Sequence, residues 1–318
     1  MTVRLPTPAA PLKIGTRGSP LALAQAHETR KRLGAAFDLP EEAFEICVIK
    51  VTGDDRSMIA ADRPLKEIGN KGLFTREIEE ALLAGDIDIA VHSMKDMPTV
   101  QPDGLILETY LPREDVRDAF VSPTLTSLTD LAEGATVGTS SLRRRAQLLH
   151  KRPDLNVVEF RGNVQTRLKK LADGVADCTF LACAGLNRLG MDDVPATPID
   201  PTEMLPAVAQ GAIGIERRLD DADTTALLDA IHHMPTGHRL AAERRFLFTL
   251  DGSCETPIAA TSTIEGDTLT LHGEVLRPDG SDALSGTRSG PVADGPDMGT
   301  DLAQDLLKQA GKGFFDWH

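Results

Sequence analysis

The sequence predicts an α/β fold made of two similar α/β domains and a small C-terminal α+β domain. Three observations lead to this prediction. A short strand, a polar turn and a capped helix follow one another twice, and a helix, a glycine and an apolar strand also follow one another twice. The C-terminal part changes to strand-like alternation and a final helix. Repeated strand and helix units predict largely parallel sheets, whereas alternation beside a helix predicts an α+β unit.

The first repeated pattern is a strand that leads into a capped helix. Residues 12–15 form a predicted strand, and Ser19 followed by a proline is typical of a helix start. The same pattern returns at residues 136–138, where residues 139–141 cap a helix that begins at Leu142. We therefore expect a strand, a polar turn and a helix at both places.

The second repeated pattern is an amphipathic helix that stops at a glycine before an apolar strand. It occurs at residues 79–90, with Gly85, and again at residues 169–180, with Gly174. Glycine ends a helix because it adopts the left-handed conformation at low cost. The two repeats together predict two domains of related design.

The predicted domains are residues 1–111 with 207–230, residues 116–205, and residues 234–318. The segment 208–216 is apolar and rich in glycine, which indicates a buried strand that returns to the first domain. In the third domain we expect a helix from residue 236 to about residue 250, strands within 261–277 and a helix over 298–310.

Composition and charge narrow the class of protein. The formal net charge of −14 argues against a nucleic-acid or acidic-membrane partner, since both need a positive field. No run approaches the roughly 18 apolar residues of a membrane span, and the first residues do not resemble a signal peptide. We therefore expect a cytoplasmic protein with free thiols, in which Cys47, Cys178 and Cys183 are buried in apolar runs.

A polar run, residues 92–98, follows the predicted strand 87–91. Ligands of open parallel sheets bind outside the carboxyl ends of the strands, so this run is expected to open onto a cleft. The carboxylate of Asp96 would there relay protons or stabilise a cation in the substrate. The alternative is that Asp96 caps a turn and Lys95 is solvated, and position alone leaves both interpretations open.

Several arginines stand at predicted turns and helix starts rather than along exposed faces. Arg17 lies at the mouth of one capped helix, and Arg143 and Arg144 lie in the first turn of another. Cations in a first turn oppose the helix dipole, so this pair needs a compensating anion. Arg161 and Arg167 add a further cluster, which favours the binding of several carboxylates together. A solvated face is the alternative for the pair.

Cys254 follows a predicted helix in a glycine turn, where a thiol is exposed enough to act as a nucleophile. A structural role is equally compatible with that position. The sequence contains no HExxH, P-loop or GxGxxG motif, which disfavours metal and nucleotide chemistry. Residues 60–72 contain few apolar side chains and are interpreted either as a mobile lid or as an ordinary exposed loop.

Taken together, these motifs resemble the porphobilinogen deaminase family over residues 13–257. The ordered matches are Gly15-Thr16-Arg17, Ser19-Pro20-Leu21, Gly72-Leu73-Phe74, His92-Ser93-Met94-Lys95-Asp96, Arg117-Asp118-Ala119-Phe120, Gly138-Thr139-Ser140-Ser141-Leu142-Arg143-Arg144, Arg161-Gly162-Asn163, Thr166-Arg167-Leu168, Arg188-Leu189-Gly190 and Gln210-Gly211.

This resemblance implies a three-domain monomer that condenses four porphobilinogen molecules head to tail and releases ammonia. It implies a dipyrromethane cofactor bound through a thioether to Cys254, with Asp96 as the catalytic carboxylate. The side chains it implies for cofactor binding are Ser93, Lys95, Thr139, Ser141, Arg143, Arg144, Arg161, Arg167 and Arg188. Those it implies for substrate binding are Arg17, Ser19, Phe74 and Gln210. No metal and no macromolecular partner are implied.

Two departures from the family pattern are visible. Glu67 stands where a loop lysine is frequent, which leaves the charge of the lid open, and Ser253 stands where a second glycine often precedes the cysteine. The main rival hypothesis is a secreted two-lobed anion receptor, because periplasmic-binding-protein-like domains are also paired α/β domains. A thiol hydrolase centred on Cys254 is a further alternative, although no paired histidine motif supports it.

Overall fold

The structure is a computed structural model that describes residues 4–51, 75–252, 256–311 and 313–315. The chain divides into two compact units. Among the described residues, the first unit contains 4–51, 75–114 and 212–237, and the second contains 115–211 and 238–315 with the gaps just given. The helices and strands are numbered below in chain order.

The first unit is built on one five-stranded sheet with the strand order β2-β1-β3-β10-β4. Strands β1, β2 and β3 are parallel, and β10 is antiparallel to both of its neighbours. The strands are β1 (Leu12–Arg17), β2 (Phe44–Ile49), β3 (Ile89–Ser93), β4 (Leu105–Tyr110) and β10 (Ile213–Arg218), and the helices of this unit include α1 (Pro20–Phe37), α2 (Arg76–Ala84) and α6 (Ala222–Asp229).

The second unit contains a sheet of the same design, with the order β7-β6-β8-β5-β9. Again three strands are parallel and the fourth, β5, is antiparallel to both neighbours. The elements are β5 (Asp118–Val121), β6 (Thr136–Gly138), β7 (Asn156–Val158), β8 (Cys178–Ala182), β9 (Ala196–Pro198), α3 (Leu142–Lys151), α4 (Val164–Ala172) and α5 (Cys183–Arg188). Both sheets place three parallel strands beside one strand that is antiparallel to both neighbours, which confirms the repeat predicted from the sequence. The antiparallel strand comes last along the chain in the first sheet and first in the second.

The C-terminal part of the second unit is a three-stranded antiparallel sheet with helices. Its strands are β11 (Ile258–Glu265), β12 (Thr268–Leu276) and β13 (Ala283–Pro291), preceded by α7 (Met234–Thr249) and followed by α8 (Gly295–Ala310). The predicted fold class, two similar α/β domains and a small α+β unit, is thereby confirmed. The domain limits given above stay a prediction.

The predicted caps and stops are present. The Ser19 hydroxyl accepts from the Ala22 amide at the start of α1, and the Ser141 hydroxyl accepts from the Arg144 amide at the start of α3. Gly85 and Gly174 have φ of 79° and 75°, the left-handed region that ends a helix before a strand. These local signals place each helix start beside the carboxyl end of a parallel strand.

Apolar side chains cover both faces of the two five-stranded sheets, as expected for mostly parallel strands. Ile14, Ile89 and Ile213 pack on one face of the first sheet, and Ile78, Leu82, Ile87 and Ala90 pack on the other. Phe120, Val137 and Phe180 cover one face of the second sheet, and Phe160, Leu181 and Leu186 cover the other. Since the faces are filled, polar groups that meet a ligand must lie at the strand ends.

The buried strand expected over 208–216 is shifted toward the C-terminus. The strand begins at Ile213, and the preceding residues form a turn in which Ala209 and Gly211 have φ of 59° and 85°. The strand does return to the sheet of the first unit, as predicted. The turn is fixed because the Ala209 amide donates to the buried Glu243 carboxylate at 2.9 Å.

Two of the three cysteines interpreted as buried are so. Cys178 and Cys183 are 0% and 5% exposed, and Cys47 is half-buried. Burial raises the pKa of Cys178 to about 12 and that of Cys183 to about 11, which makes both thiols poor nucleophiles at neutral pH. In the part of the chain that the structure describes, no helix is long and apolar enough to cross a membrane.

Candidate active site

The predicted site residues of the first unit lie at the carboxyl ends of two adjacent parallel strands. Arg17 is the last residue of β1, and Ser93 is the last residue of β3. A short 3-10 helix, Met94–Asp96, follows β3 directly and carries Lys95 and Asp96, both half-buried. The arrangement agrees with the expectation that ligand-binding groups follow the strand ends.

The turn that bears Asp96 is anchored by the buried side chains of the residues on either side of it. Met94 is 1% exposed, and its backbone amide donates to Ala212 O at 3.0 Å. A Cβ atom added to Gly214 would lie 2.1 Å from Met94 Sδ, so only glycine at this position of β10 lets the methionine pack there. Met97, which closes the turn, is 4% exposed. Asp96 is therefore held between two buried methionines.

The hydroxyl of Ser93 is paired with the amide of Gln25, a buried residue of α1. Gln25 Nε2 donates to Ser93 Oγ at 2.8 Å, and Ser93 Oγ donates to Gln25 Oε1 at 3.0 Å. The serine hydroxyl has one proton and two lone pairs, and the pairing uses the proton and one lone pair. Whichever way the amide is oriented, Ser93 Oγ retains only an acceptor for a ligand.

A buried ionisable cluster lies beside the start of this turn. His92 Nε2 and Glu216 Oε2 are 3.1 Å apart, with the side chains 4% and 0% exposed. Burial raises the pKa of the nearby Glu79 carboxyl, and the negative charge of Glu216 raises it further. Glu216 Oε1 has no hydrogen-bond partner among the described residues. The cluster links α2, β3 and β10 within the first unit.

In the second unit, the carboxyl end of β6 leads into the start of α3. Thr139 is 3% exposed, and its Oγ1 accepts from the Ser141 amide at 3.2 Å. The Ser140 hydroxyl accepts from the Phe160 amide at 2.8 Å, which fixes the loop after β7. These bonds fix the loop that leads into α3, so the first turn of the helix begins close to the carboxyl end of β6.

Arg143 and Arg144, in that first turn, are buried rather than solvated. Their exposures are 5% and 4%, and both bind the carboxylate of Asp118, which is 0% exposed. Arg143 Nη2 donates to Asp118 Oδ2 at 2.8 Å, and Arg144 Nη2 and Nε donate to Oδ1 at 2.6 and 3.2 Å. The compensating anion that the sequence demanded is therefore supplied by the chain itself.

Backbone carbonyls complete the partners of the two arginines. Arg143 Nη1 donates to Leu205 O at 2.7 Å, and Arg144 Nη1 donates to Phe180 O at 2.8 Å. Arg143 Nε is buried and has no acceptor among the described residues. Burial and the adjacent Arg144 lower the pKa of Arg143, and Asp118 opposes this. The guanidinium groups are held in single orientations but are not saturated.

Gln210 and Arg188 meet at the turn before β10. Gln210 is 1% exposed, and its Nε2 donates to Val116 O at 2.8 Å and to Asp118 Oδ1 at 2.9 Å. Arg188, the last residue of α5, donates from Nη2 to Gly211 O at 3.0 Å. The structure thus brings Arg143, Arg144 and Gln210 together on one carboxylate, with Arg188 bonded to the residue next to Gln210.

Arg161 and Arg167 flank the start of α4. Arg161 is 7% exposed, and Asn163 caps the helix by accepting from the Thr166 amide at 2.9 Å. Between them Gly162 has φ of 121°, a conformation that favours glycine. Both arginines have polar or charged partners in the structure. They follow β7, so they lie at the same edge of the sheet as the start of α3.

Cys254 and Phe74 lie outside the described residues, as does the interpreted lid over 60–72. Two side chains in the site had no role predicted from the sequence, although Asp118 lies in a motif that matches the family. Asp118 opens the apolar run Asp118–Val121, where an acidic residue signals a buried partner. Gln25 lies among Ala22, Ala26, Thr29 and Leu33 on the buried face of α1, and a polar residue at that spacing was the available signal.

Comparison with known proteins identifies relatives over nearly the whole chain. The family model described as "Porphobilinogen deaminase, dipyromethane cofactor binding domain" matches residues 12–226, and "Porphobilinogen deaminase, C-terminal domain" matches residues 238–308. The chain is 64% identical over 314 residues to the porphobilinogen deaminase of Paracoccus denitrificans (strain Pd 1222), with 99% of each chain covered.

Solved structures of low sequence identity are also similar. The periplasmic VFT2 domain of BvgS from Bordetella pertussis has a TM-score of 0.40 at 14% identity, over 69% of this chain and 86% of that one. The periplasmic aliphatic sulphonate binding protein SsuA from Escherichia coli has a TM-score of 0.39 at 14% identity, over 76% and 70%. At these scores the likeness says nothing about ligands.

Proposed function

This chain belongs to the porphobilinogen deaminase family, and we propose that the turn after β3 carries its chemistry while buried arginines of the second unit bind the acidic groups of its pyrroles. The enzyme polymerises pyrroles in porphyrin biosynthesis, and it works with a dipyrromethane cofactor. Porphobilinogen is its substrate, and hydroxymethylbilane is the linear product. What remains to be assigned is the part of each residue.

The donors of the second unit suit the cofactor, because a dipyrromethane carries acetate and propionate groups. Two guanidinium groups and one carboxylate leave one net positive charge at the start of α3, and helix amides there favour anions. When bound, the group supplies the pyrrole carbon to which the first substrate is joined. We propose that Cys254 holds it as a thioether and that the residues binding it are Ser93, Lys95, Thr139, Ser141, Arg143, Arg144, Arg161, Arg167 and Arg188.

Asp96 is proposed as the catalytic carboxylate. Loss of ammonia from the aminomethyl group of porphobilinogen leaves a cation delocalised over the pyrrole, and a nearby carboxylate stabilises it. After the new carbon–carbon bond forms, the attacking pyrrole must lose a proton, and the same carboxylate accepts it. The anchored Met94–Asp96 helix supports this role because it holds the carboxylate in one place.

Ser93 is proposed to bind a pyrrole N–H beside Asp96. Its hydroxyl proton is donated to Gln25, so its oxygen meets a ligand only as an acceptor. A pyrrole N–H can donate a hydrogen bond to this oxygen, whereas an ionised carboxylate has no proton to donate. Ser93 therefore favours the ring nitrogen over the acidic side chains of the same substrate.

Arg17, Ser19, Phe74 and Gln210 are proposed for substrate binding. Arg17 and Ser19 stand at the start of α1, where helix amides favour a carboxylate. The amide protons of Gln210 are used by Val116 O and Asp118. We therefore propose that Gln210 acts on the substrate through Asp118 and the arginines rather than by donating to it.

We also propose the class of the enzyme, its oligomeric state, its partners and its compartment. The reaction makes the enzyme a transferase, and we propose that it acts as a monomer on a small molecule. A net charge of −14 disfavours binding to nucleic acid or an acidic membrane. Free thiols at Cys47, Cys178 and Cys183 suit a reducing compartment, and we propose the cytoplasm.

Intact-protein mass spectrometry tests the cofactor attachment. Purified active enzyme is expected to carry an excess mass equal to two linked pyrroles, and peptide mapping is expected to place it on Cys254. Cys254→Ser is expected to carry no adduct and to make no product, whereas Cys47→Ser serves as the control and stays modified at Cys254. An unmodified Cys254 in fully active enzyme would remove the assignment.

The variant Asp96→Asn tests the catalytic carboxylate. It keeps the size of the side chain and removes its charge, so the rate of product formation should fall by roughly 10²- to 10⁴-fold. The adduct mass and the thermal unfolding temperature should stay as in the wild type. The control Asp103→Asn changes an exposed carboxylate a few residues further on and should leave the rate unchanged. Wild-type turnover by Asp96→Asn would exclude the role.

A further inference from the structure

Asp118 is a fully buried carboxylate on which the side chains of three proposed ligand-binding residues converge. Its two oxygens accept from Arg143, from both Nε and Nη2 of Arg144, and from Gln210, at 2.6 to 3.2 Å. Burial alone would raise the pKa of this carboxyl, but Arg143 and Arg144 hold it well below its usual range. Asp118 therefore stays ionised throughout the working range of pH.

The sheet explains why this carboxylate lies where the arginines are. Strand β5 is antiparallel to β8, and Asp118, its first residue, pairs with Ala182, the last residue of β8. The start of an antiparallel strand therefore coincides with the carboxyl ends of the parallel strands. The first turn of α3 begins at that same edge, after β6. The topology delivers one acidic side chain to the ligand edge of the sheet.

The charges at this edge do not cancel. Arg143 and Arg144 contribute two positive charges, and Asp118, the carboxylate bonded to both, contributes one negative charge. Glu274 also acts on Arg143, but Lys151 has a larger effect on Glu274 than Arg143 has, so one positive charge of the pair is left for an external anion. Two guanidinium groups in contact without Asp118 would repel each other and turn outward, because buried charges need partners. A carboxylate bound to both arginines fixes their separation and their planes at the same time.

We infer that Asp118 is a positioning residue that orients Arg143 and Arg144 and limits the pair to one further carboxylate of the cofactor or the growing chain. The inference rests on the proposed role of these arginines. Gln210 contributes to the same positioning, because its Nε2 donates to both Asp118 Oδ1 and the Val116 carbonyl. Asp118 itself need not touch the ligand for this role.

A carboxylate can be removed and returned to test the inference. In Asp118→Ala the truncated side chain leaves room for formate, which restores the negative charge, or for formamide, which has nearly the same size and no charge. The readouts are the fraction of apoenzyme that acquires the adduct mass on incubation with porphobilinogen, and the KM for porphobilinogen. Asp115→Ala is the matched control, because Asp115 pairs with Arg117 on the same segment and not with the arginine pair.

We expect Asp118→Ala to load cofactor poorly and to raise KM by roughly tenfold or more, with a smaller change in kcat. Formate should restore most of the loading and of the KM, and formamide should not. A group that only fills space would be replaced equally by both molecules. Equal rescue by both, no rescue by either, or wild-type loading without additive would each overturn the inference.

A second variant decides the matter if Asp118→Ala does not fold. Asp118→Glu keeps the charge but moves it by one methylene, so the protein should fold with displaced arginines, a raised KM and slow loading. Wild-type loading and KM in this variant would refute a positioning role. Arg144→Leu separates the two proposals, because unchanged loading in that variant would remove the carboxylate role of the arginine itself. Loss in Arg144→Leu with no effect of either Asp118 variant would remove only the role of Asp118.

Discussion

The hydroxyl of Ser93 illustrates how one neighbour determines what a side chain can bind. A serine alone is both donor and acceptor, so it suits a carboxylate as well as a pyrrole nitrogen. The reciprocal bonds with Gln25 use the proton of the hydroxyl, and Gln25 is 3% exposed, so its amide is shielded from bulk solvent. The selectivity of Ser93 is thus set by a residue of another element, α1.

Replacing Gln25 should therefore change the hydrogen bonding of the Ser93 hydroxyl, although Gln25 is not proposed to contact the ligand. In Gln25→Leu the Ser93 hydroxyl no longer donates to Gln25 and can rotate freely. We expect kcat/KM to fall by roughly tenfold, which corresponds to about 1.4 kcal/mol. Ser93→Ala should cause a similar loss. The double variant should lose no more than either single variant, because both changes remove one interaction.

Additive losses in that cycle would show that Gln25 acts independently of Ser93. Gln101→Leu is a suitable control, because Gln101 also binds through its amide nitrogen, to Pro98 O, but has no bond to Ser93. Its steady-state constants should remain within twofold, roughly the range of a surface change.

At the residue level, the sequence indicated where charge would be needed but not where it would come from. The position of Arg143 and Arg144 in a first turn required an anion, and the expectation was an external one. The structure supplies Asp118 first, from a strand that precedes α3 by a long stretch of chain. Such a pairing depends on the register of β5 with β8, which no local pattern encodes.

Among the elements, β10 contacts the turn that carries Asp96, the proposed catalytic residue. It lies beside β3, with Gly214 opposite His92, and the Ala212 carbonyl just before it accepts from Met94. Met94 occupies the space that a side chain at position 214 would need. A strand from a distant part of the chain therefore supports the turn that carries Lys95 and Asp96.

Gly214→Ala should displace that turn. The new methyl group would lie 2.1 Å from Met94 Sδ and 2.9 Å from Leu107 Cδ2, so Met94 must move. Overpacking of this kind costs about 1–3 kcal/mol of stability. We expect kcat to fall by roughly tenfold with a smaller change in KM, since the turn carries the proposed catalytic carboxylate, Asp96. Calorimetry and steady-state kinetics measure the two effects.

The control for that variant is Gly290→Ala in β13. An added Cβ there meets Met298 Sδ at 3.4 Å, an ordinary contact, so both stability and kcat should stay close to the wild type. A Gly214→Ala enzyme with normal kcat and normal stability would show that Met94 repacks freely. The anchoring of Asp96 by β10 would then be wrong.

The elements with strong local signals were predicted well, and the others were not. Helices begin directly after Ser19 and Ser141, whose hydroxyls cap them. Helices end just before Gly85 and Gly174, which have the left-handed conformation. Strand β13 is rich in serine and glycine and has little strand propensity. It forms because it pairs along its length with β12 and packs against α8. Long-range pairing of that kind is not visible in a local pattern.

Over the whole molecule, a few arginines are buried although the chain carries a net charge of −14. Arg143, Arg144 and Arg161 are each at most 7% exposed, so they are shielded from the acidic surface by low-dielectric surroundings. The proposed binding of an acidic chain of pyrroles by an acidic protein depends on this arrangement. It also makes the second unit depend on carboxylates that remain ionised.

The two units should therefore respond differently to acid. Among the described residues, the carboxyls with lowered pKa fall almost wholly in the second unit, where Arg143 and Arg144 hold that of Asp118 far below normal, and the Arg152 hydrogen bond lowers that of Asp154 to about 2. Burial raises the pKa of Glu79 in the first unit and that of Glu274 in the second, so these two carboxyls do not distinguish the units. Exposed pairs such as that of Asp154 contribute little, so the difference rests mainly on Asp118.

The sign of the effect follows from the direction of each shift. A carboxyl with a lowered pKa in the folded state stabilises the fold above its unfolded pKa of about 4, and this contribution is lost as the pH falls further. A carboxyl with a raised pKa, such as Glu79, loses nothing on acidification. Between pH 4 and pH 2, roughly, the second unit should lose more stability than the first.

Pepsin is active in that range of pH and cleaves unfolded segments first, so the order of its cleavages reports the order of unfolding. With falling pH the first cleavages should fall within β5, α3 and β8 of the second unit, while β1 and β3 stay protected, and mass spectrometry of the fragments identifies them. Salt at 0.5 M screens exposed pairs but hardly reaches Asp118, so the order should persist. First cleavages in β1 or β3, or an order that salt abolishes, would show that exposed charges rather than the buried Asp118 govern the response to acid.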